Sequence, residues 1–180
     1  RTTLAVWGSR VRIPLAPPST ALLFRPGGFS YSGCMDSPIG ALRLAATARG
    51  VSRVCFEGEP LPIDAPPAAP LATQELAEYF AGTRREFTVP LDLRGVTAFR
   101  EAVLRELMTV PYGETTTYAE LARAVGNPRA VRAVGSACAT NPLPLFIPCH
   151  RVLRSDGQLG GYRGGVEAKR VLLRMEGIDV

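Results

Sequence analysis

Apolar and polar positions alternate in the first part of the chain, whereas the second part follows a helical period. Residues 41–46 and 51–56 are two short runs of partly alternating apolar residues, separated by a turn signal at Gly50. Such a pattern predicts a β-hairpin. A third strand is predicted at residues 86–89, just before Pro90. These signals together predict a small antiparallel sheet.

Helical signals accompany and follow this sheet. Thr73 is a favourable N-cap for a short helix predicted over residues 74–81, and the Pro-rich residues 57–70 before it are predicted to form a loop. Apolar residues then recur at a spacing of 3.6 over residues 97–111, behind a second N-cap at Thr97. This spacing predicts an amphipathic helix.

Two short helices joined by a tight turn are predicted next. Thr117 caps the first, over residues 118–125, with Glu120 placed to complete a capping box. Pro128 opens the second, over residues 129–139, because proline suits the first helical position. This is the outline of a helix-turn-helix, which binds DNA in some proteins and nothing in many others.

The remainder of the chain is irregular before it closes in a helix. A Pro-rich stretch at residues 141–148 leads to a hairpin-like turn at residues 155–157 and a glycine-rich loop at residues 160–165. Residues 166–175 are predicted to form the closing helix, which Gly177 ends. The predicted fold class is α/β: a small N-terminal antiparallel sheet with a helix, then a mainly helical part.

The domain organisation follows from the same pattern. We expect an N-terminal α/β domain over residues 35–94 and a C-terminal domain over residues 95–180. Residues 1–34 have no periodic apolar face and are expected to be a tail outside both domains. Residues 11–14 back-translate to a sequence like the T-arm of a transfer RNA gene, so the tail is hypothesised to be upstream sequence, with Met35 as the natural start. A signal peptide is not expected, because proline interrupts the short apolar patch.

Composition narrows the classes of partner. The 180 residues are 46% hydrophobic and can bury a core, but no run approaches the roughly 18 apolar residues of a membrane span. The net charge of +5 is unevenly spread, since residues 121–174 carry nine basic and two acidic side chains. This local excess suits a polyanion such as DNA, although charge alone is equally compatible with a solvated basic face.

The cysteines do not form a recognisable framework. Cys34, Cys55, Cys138 and Cys149 are irregularly spaced, and no two form a Cys-x-x-Cys pair. A disulfide framework is therefore not expected, and a zinc site is disfavoured because His150 is the only histidine. Thiols without a pattern indicate a reducing compartment, so we expect the protein in the cytoplasm.

Cys149 and His150 are the strongest candidates for chemistry. A buried structural thiol is the simplest interpretation of a cysteine beside a proline. However, the only histidine is adjacent, the basic cluster surrounds both residues, and glycine-rich backbone follows closely. Because a neighbouring base or positive charge favours the reactive thiolate, this arrangement indicates a nucleophile.

Five separated motifs resemble those of the O6-alkylguanine-DNA alkyltransferases, also called methylated-DNA–protein-cysteine methyltransferases. The similarity is dense over residues 97–177 and looser over residues 35–94. It implies that the helix-turn-helix is winged-helix-like. The motifs are Ile-Pro-Cys-His-Arg-Val at 147–152, Gly-Glu-x-x-x-Tyr at 113–118, Gly-Asn-Pro at 126–128, Gly-Tyr-Arg-Gly-Gly at 161–165 and Glu-Gly at 176–177.

The resemblance implies a catalytic role for three residues. Cys149 would attack the alkyl carbon on guanine O6, and its proton would pass to His150 through a water molecule. Glu176 would orient that histidine, as an acid does in other nucleophile–histidine arrangements. The alkyl group would stay on the sulfur, so the protein would act once, with neither a metal nor an organic cofactor.

The resemblance also implies how DNA would be held. The damaged base would be flipped out of the duplex, and Arg132 on the second helix would fill the vacated stack. Tyr118 would press on the neighbouring phosphate and donate its hydroxyl to guanine N3. The recognition helix would lie in the minor groove, which suits a protein that must find damage in any sequence.

Further residues would form the base pocket. The backbone carbonyls of Cys149 and Val152 would accept hydrogen bonds from the exocyclic amine of guanine, and the backbone amide of Arg163 would face O6. Tyr162 would wall the pocket, and Asn141 would brace the turn that presents the thiol.

Two other function classes remain open. One is a DNA-binding sensor of alkyl damage that does not transfer the group, and the other is a cysteine hydrolase that uses Cys149 and His150. The predicted partner is double-stranded DNA containing O6-alkylguanine, with no membrane, and we expect a monomer. The sequence leaves open whether larger alkyl groups or O4-alkylthymine are accepted.

Overall fold

A three-stranded antiparallel sheet begins the part of the chain that the structure, a computed structural model, describes, namely residues 34–60 and 70–180. Strand β1 (Cys34–Met35) pairs with β2 (Leu42–Thr47), which in turn pairs with β3 (Gly50–Cys55). The predicted hairpin is therefore confirmed. Cys34, the last residue of the predicted tail, is already paired in this sheet; the other predictions for the tail lie outside the described residues.

The strand predicted over residues 86–89 is wrong. The backbone amide groups of Thr88 and Val89 donate to the carboxylate of the buried Glu75, at 2.9 and 3.3 Å, instead of to a neighbouring strand. A side-chain acceptor thus replaces the sheet partner, which a pattern of apolar residues does not reveal.

Helix α1 (Pro70–Phe80) starts four residues before its predicted beginning. Proline suits a first turn, where no backbone amide hydrogen is needed, so the helix begins at Pro70 and Thr73 lies inside it. Gly82, with a φ of +73°, follows the last turn as predicted.

The second part of the chain is mainly helical, as predicted. Its four helices are α2 (Ala98–Leu107), α3 (Tyr118–Ala124), α4 (Val131–Ala139) and α5 (Val166–Met175).

The helix-turn-helix differs from its prediction at two boundaries, and the smaller difference is that α3 ends at Ala124, one residue early. The capping box is present, since the Thr117 hydroxyl accepts from the amide of Glu120 and the Glu120 carboxylate accepts from the amide of Thr117. Helix α4, however, begins two residues later than predicted. The amide of Ala130 donates to the carbonyl of Asn127 at 2.9 Å, so Pro128 belongs to a turn between the helices.

A short parallel pair that the sequence did not predict joins this motif to the candidate nucleophile. Strand β4 (Thr116–Thr117) leads into α3 and pairs with β5 (Val152–Leu153). A 3-10 turn, Cys149–Arg151, directly precedes β5. The start of the helix-turn-helix and the Cys149 turn are thus hydrogen-bonded neighbours.

One buried apolar cluster underlies both parts of the chain. It includes Leu44 and Leu76 from the first part, and Leu104, Val134 and Leu172 from the second. The predicted fold class is confirmed, whereas the division into two domains stays a prediction. Within residues 34–60 and 70–180, every helix is too short or too polar to cross a bilayer.

Candidate active site

Cys149 opens the 3-10 turn and is 4% exposed. The side-chain amide of Asn141 holds this turn, because its Nδ2 lies 2.9 Å from the carbonyl oxygen of Ile147 and 3.2 Å from the Cys149 Sγ. Its Oδ1 accepts from the amide of Leu143 at 3.0 Å. Asn141 therefore links both ends of the irregular stretch to the thiol, in the position where the resemblance implies a brace.

The thiol of Cys149 is protonated in its resting environment. Burial raises its pKa, and the hydrogen bond from Asn141 and the positive charges of Lys169 and Arg163 only partly oppose this effect. Because the thiolate is the reactive form of cysteine, a base must remove the proton when the nucleophile acts.

His150, the next residue along the chain, has the hydrogen-bond arrangement that a base needs. Its Nε2 lies 2.9 Å from the Oε1 of Glu176, and both side chains are fully buried. Burial lowers the pKa of His150, although the hydrogen bond with Glu176 opposes it, so the ring is neutral near pH 7. An ionised carboxylate only accepts, which places the hydrogen of the neutral ring on Nε2. The Nδ1 is then an acceptor, and it has no hydrogen-bond partner among the described residues.

Two residues that the sequence did not predict complete the surroundings of Glu176. Arg151 donates from Nε to Oε2 at 2.8 Å and from Nη2 to Oε1 at 2.9 Å, and the hydroxyl of Tyr79 donates to Oε1 at 2.7 Å. Burial disfavours the charge of Glu176, but the hydrogen bonds from His150, Arg151 and Tyr79 outweigh it and lower its pKa to about 2. The carboxylate is therefore ionised throughout the neutral range.

Of the two residues that the sequence analysis missed around Glu176, one could have been found from the sequence and the other could not. Arg151 follows His150 directly, so its place in the motif was a signal. Tyr79 lies 97 residues from Glu176 in α1, and nothing in the pattern of the chain relates the two.

Tyr118 begins α3 and is half-buried beside the thiol. A Cβ added to Gly160 would lie 2.5 Å from the Tyr118 Oη, so the tyrosine ring packs against bare backbone there. Burial, with smaller contributions from the thiols of Cys138 and Cys149, raises the pKa of Tyr118 to about 12. Its hydroxyl is thus a donor at neutral pH.

Tyr162 lies edge-on to the imidazole of His150, with 6.4 Å between the ring centroids, and edge-on to Phe56 at 5.7 Å. Its hydroxyl is buried and has no hydrogen-bond partner in the described part of the chain. This places a polar atom beside the histidine, where the resemblance implies a pocket wall.

The side chain of Arg163 connects Asn141, which holds the thiol turn, with the first part of the chain. Its Nη1 donates to the carbonyl of Asn141 at 2.8 Å, its Nη2 donates to the carbonyl of Val54, and its Nε lies 3.2 Å from a carboxylate oxygen of Glu59. These contacts concern the guanidinium group alone, so the role of the backbone amide stays a prediction.

The last two predicted residues differ in exposure. Val152 is buried in β5, and its carbonyl accepts a hydrogen bond from the ammonium of Lys169, a fully buried residue that the sequence did not single out. Arg132 is exposed on α4 and takes no part in the hydrogen bonds that the structure describes around Cys149. It faces solvent, as a residue that meets DNA must.

Taken together, these side chains form one buried cluster that contains a protonated thiol, a neutral histidine with a free acceptor nitrogen, and a carboxylate that is charged at neutral pH. Such an arrangement can remove a proton from the thiol during nucleophilic attack. Tyr118 and the hydroxyl of Tyr162 supply polar atoms at its border.

Two family models match the chain and together cover most of it. Residues 30–93 match the ribonuclease-like domain of 6-O-methylguanine DNA methyltransferase, and residues 98–178 match the DNA-binding domain of the same family.

Individual relatives agree with these models. A methylated-DNA–protein-cysteine methyltransferase from Methanosarcina acetivorans is 40% identical over 82% of this chain and 98% of its own length. The Escherichia coli protein named bifunctional transcriptional activator/DNA repair enzyme Ada is 40% identical over 87% of this chain, which spans only 49% of that protein.

A solved structure is also similar. The crystal structure of Mycobacterium tuberculosis OGT in complex with DNA superposes with a TM-score of 0.74 at 43% identity, covering 80% of this chain and 91% of that one. With both family models and relatives of nearly full coverage in agreement, the chain belongs to the 6-O-methylguanine DNA methyltransferase family.

Proposed function

We propose that this protein repairs DNA by moving a methyl or other alkyl group from O6-alkylguanine to Cys149, once and irreversibly. The observation that carries the proposal is the free, buried acceptor nitrogen of His150, the residue next to the protonated Cys149, while the other ring nitrogen is held by Glu176. Membership of the methyltransferase family identifies the reaction to which such a base contributes.

The step balances without a cofactor. The Sγ of Cys149 forms a bond to the alkyl carbon as the bond from that carbon to guanine O6 breaks. The thiol proton passes to the Nδ1 of His150 through a bridging water. The guanine leaves as an anion and takes up one proton at N1 from water, and His150 returns its proton to water, so that the net change moves the thiol proton to guanine. The product is a stable thioether, and the proposal includes no second nucleophile that would remove the alkyl group from the sulfur. One protein molecule therefore repairs one base.

The helix-turn-helix carries two of the residues proposed to contact DNA, Arg132 and Tyr118. Helix α4 presents Arg132 to solvent, where it would fill the space left by a flipped base. Tyr118 keeps its proton at neutral pH and would donate it in a hydrogen bond to guanine N3. The carbonyl of Val152 and the amide of Arg163 would read the base edge, with Tyr162 as the pocket wall. A similar protein in complex with DNA supports DNA as the partner, and we propose that the DNA is double-stranded.

The test is stoichiometric transfer. The protein is incubated with a duplex containing one O6-methylguanine, and its intact mass and tryptic peptides are measured. We expect a gain of one methyl group per protein molecule on the Cys149 peptide. Cys149→Ser should abolish the gain, whereas Cys138→Ser, which changes a second buried thiol, should keep it.

The other two function classes predict different results in the same assay. Tight binding of the duplex with no gain in mass would favour an alkyl-damage sensor and contradict the proposal. Repeated turnover of an ester or amide by Cys149 would favour a cysteine hydrolase. A duplex containing O4-methylthymine and duplexes with longer alkyl groups extend the assay to substrate range. Light scattering and cell fractionation test the predicted monomer and its cytoplasmic location.

A further inference from the structure

The carboxylate that orients His150 receives one hydrogen bond from outside the catalytic part of the chain. The Oε1 of Glu176 accepts from His150, from Arg151 and from the hydroxyl of Tyr79, which is the shortest of the three at 2.7 Å. Tyr79 belongs to α1, in the part of the chain where the sequence predicted no site residue.

The position of Tyr79 is fixed by packing. Its side chain is 1% exposed, and its ring lies 5.4 to 6.2 Å, centroid to centroid, from the rings of Phe80, Phe87 and Tyr112. Burial and the nearby charge of Glu176 raise the pKa of its hydroxyl far above the neutral range. The hydroxyl is therefore a permanent donor whose direction the core sets.

A hydrogen-bond donor to the Oε1 of Glu176 also affects His150, because both groups interact with the negative charge of that oxygen. The Oε1 of Glu176 stabilises the protonated imidazole, and each further donor to that oxygen draws some of its negative charge away. With the hydrogen bond from Tyr79, the pKa of His150 is therefore lower than it would be with Glu176 and Arg151 alone. This hydrogen bond also restricts rotation of the carboxylate.

We propose that Tyr79 is a positioning residue for alkyl transfer: it tunes the basicity of His150 through Glu176 and thereby makes the N-terminal part of the chain a component of the active site. The inference rests on the proposed function for its catalytic meaning. Its physical content, coupling from the hydroxyl of Tyr79 to the imidazole of His150, is measurable without DNA.

His150 is the only histidine in the chain, which makes the measurement direct. Protein expressed without a histidine tag and labelled with 15N-histidine gives one pair of ring nitrogen signals. These report the tautomer and the pKa of His150 by NMR titration. In Tyr79→Phe we expect that pKa to rise relative to the unsubstituted protein, with the hydrogen still on Nε2 in the neutral form.

The rate of transfer should follow the titration. Single-turnover methylation of Cys149, measured against pH with the O6-methylguanine duplex, should show its acid limb moved to higher pH in Tyr79→Phe by the same amount as the NMR pKa. At a fixed pH on that limb, transfer slows because less His150 is neutral, about tenfold where the shift is one pH unit.

Tyr112→Phe is the matched control. The hydroxyl of Tyr112 donates to the carbonyl of Met175 at 2.8 Å, beside Glu176 but not to its carboxylate. Removing it deletes a hydrogen bond at the same helix end and leaves every donor to Glu176 in place. The pKa of His150 and the acid limb should not move in this variant.

A purely structural role for Tyr79 predicts a different pattern. Both variants would then lose stability, and the pKa of His150 would be the same in all three proteins, which would overturn the proposal. Placing 3,5-difluorotyrosine at position 79 covers the case in which Tyr79→Phe does not fold. Its stronger hydroxyl donor should lower the pKa of His150, and an unchanged value would again contradict the coupling. If the unsubstituted protein transfers no methyl group while the NMR shifts appear, the proposed function fails and the coupling stands.

Discussion

The two halves of the molecule contribute to one site in different ways. The part after residue 95 carries all nine residues that the sequence nominated for chemistry or DNA contact. The part before it carries none, yet it donates the Tyr79 hydroxyl to Glu176 and accepts the guanidinium of Arg163 at Val54 and Glu59. Reacting groups cluster in short motifs, whereas the groups that orient them come from wherever the core brings a donor or a carbonyl close.

The largest effect is expected in the catalytic half, from Glu176→Gln. The amide keeps the shape of the side chain but loses the charge that fixes the His150 tautomer, so methyl transfer should slow at least about 100-fold in single-turnover assays. Stability should also fall by about 3 kcal/mol in urea unfolding, because Arg151 is left buried without its anion. Glu101→Gln, at an exposed pair with Arg105, should change neither measurement appreciably.

Acid unfolding sharpens this expectation. The pKa of Glu176 is lowered from 4.5 to about 2 in the folded protein, so its ionised form stabilises the fold fully above pH 4.5. That contribution disappears as the pH falls from 4.5 toward 2. Glu176→Gln should lack this component, and parallel stability curves for the two proteins across that interval would contradict the assignment.

The first half should respond to Glu75→Gln in stability alone. The buried carboxylate of Glu75 accepts from the amides of Thr88 and Val89 and pairs with Arg84 at 3.3 Å. Both backbone amides donate to Oε2, which the oxygen of Gln can replace, but the amide group of Gln then stands where Oε1 accepts from the Thr88 hydroxyl and pairs with Arg84. The loss of these contacts in a buried site should cost about 1–3 kcal/mol in urea unfolding. The rate of methyl transfer and its pH profile should stay those of the unsubstituted protein.

The comparison of the two halves requires that a change in stability can occur without a change in the pH profile of methyl transfer. Tyr79 and Glu75 lie in the same helix, but only Tyr79 touches the catalytic carboxylate. If Glu75→Gln moved the acid limb of the rate profile as Tyr79→Phe is expected to, the first half would act through general rigidity and not through one hydrogen bond.

The smallest effect is expected at the cap of α3. Thr117→Ala removes the hydroxyl that accepts from the amide of Glu120, which should lower thermal or urea stability by about 1 kcal/mol. Because Tyr118 is the next residue, binding to undamaged duplex should weaken slightly in a fluorescence anisotropy titration. Thr115→Ala, at an exposed position outside the capping box, serves as the control; an equal loss there would show that the cap itself contributes nothing.

Local signals predicted the helices of the second half well. The capping box at Thr117 and the bounds of α5 needed only neighbouring residues, because capping and the helical period are properties of a few consecutive positions. The same reasoning failed at residues 86–89, where the acceptor for the backbone amides is Glu75, and at Pro70, where a proline begins the helix four residues before its predicted start.

Residue type and spacing alone nominated the candidate reacting atoms, which belong to a cysteine, the only histidine beside it, and a glutamate at the end of the closing helix, in motifs that resemble one family. These identities follow from residue type and spacing along the chain. The tertiary structure decided the chemical state of those atoms. Burial sets the protonation of Cys149 and His150, and three converging donors keep Glu176 ionised. The donor from Tyr79 crosses 97 residues, and only packing of the core brings its hydroxyl within 2.7 Å of the carboxylate.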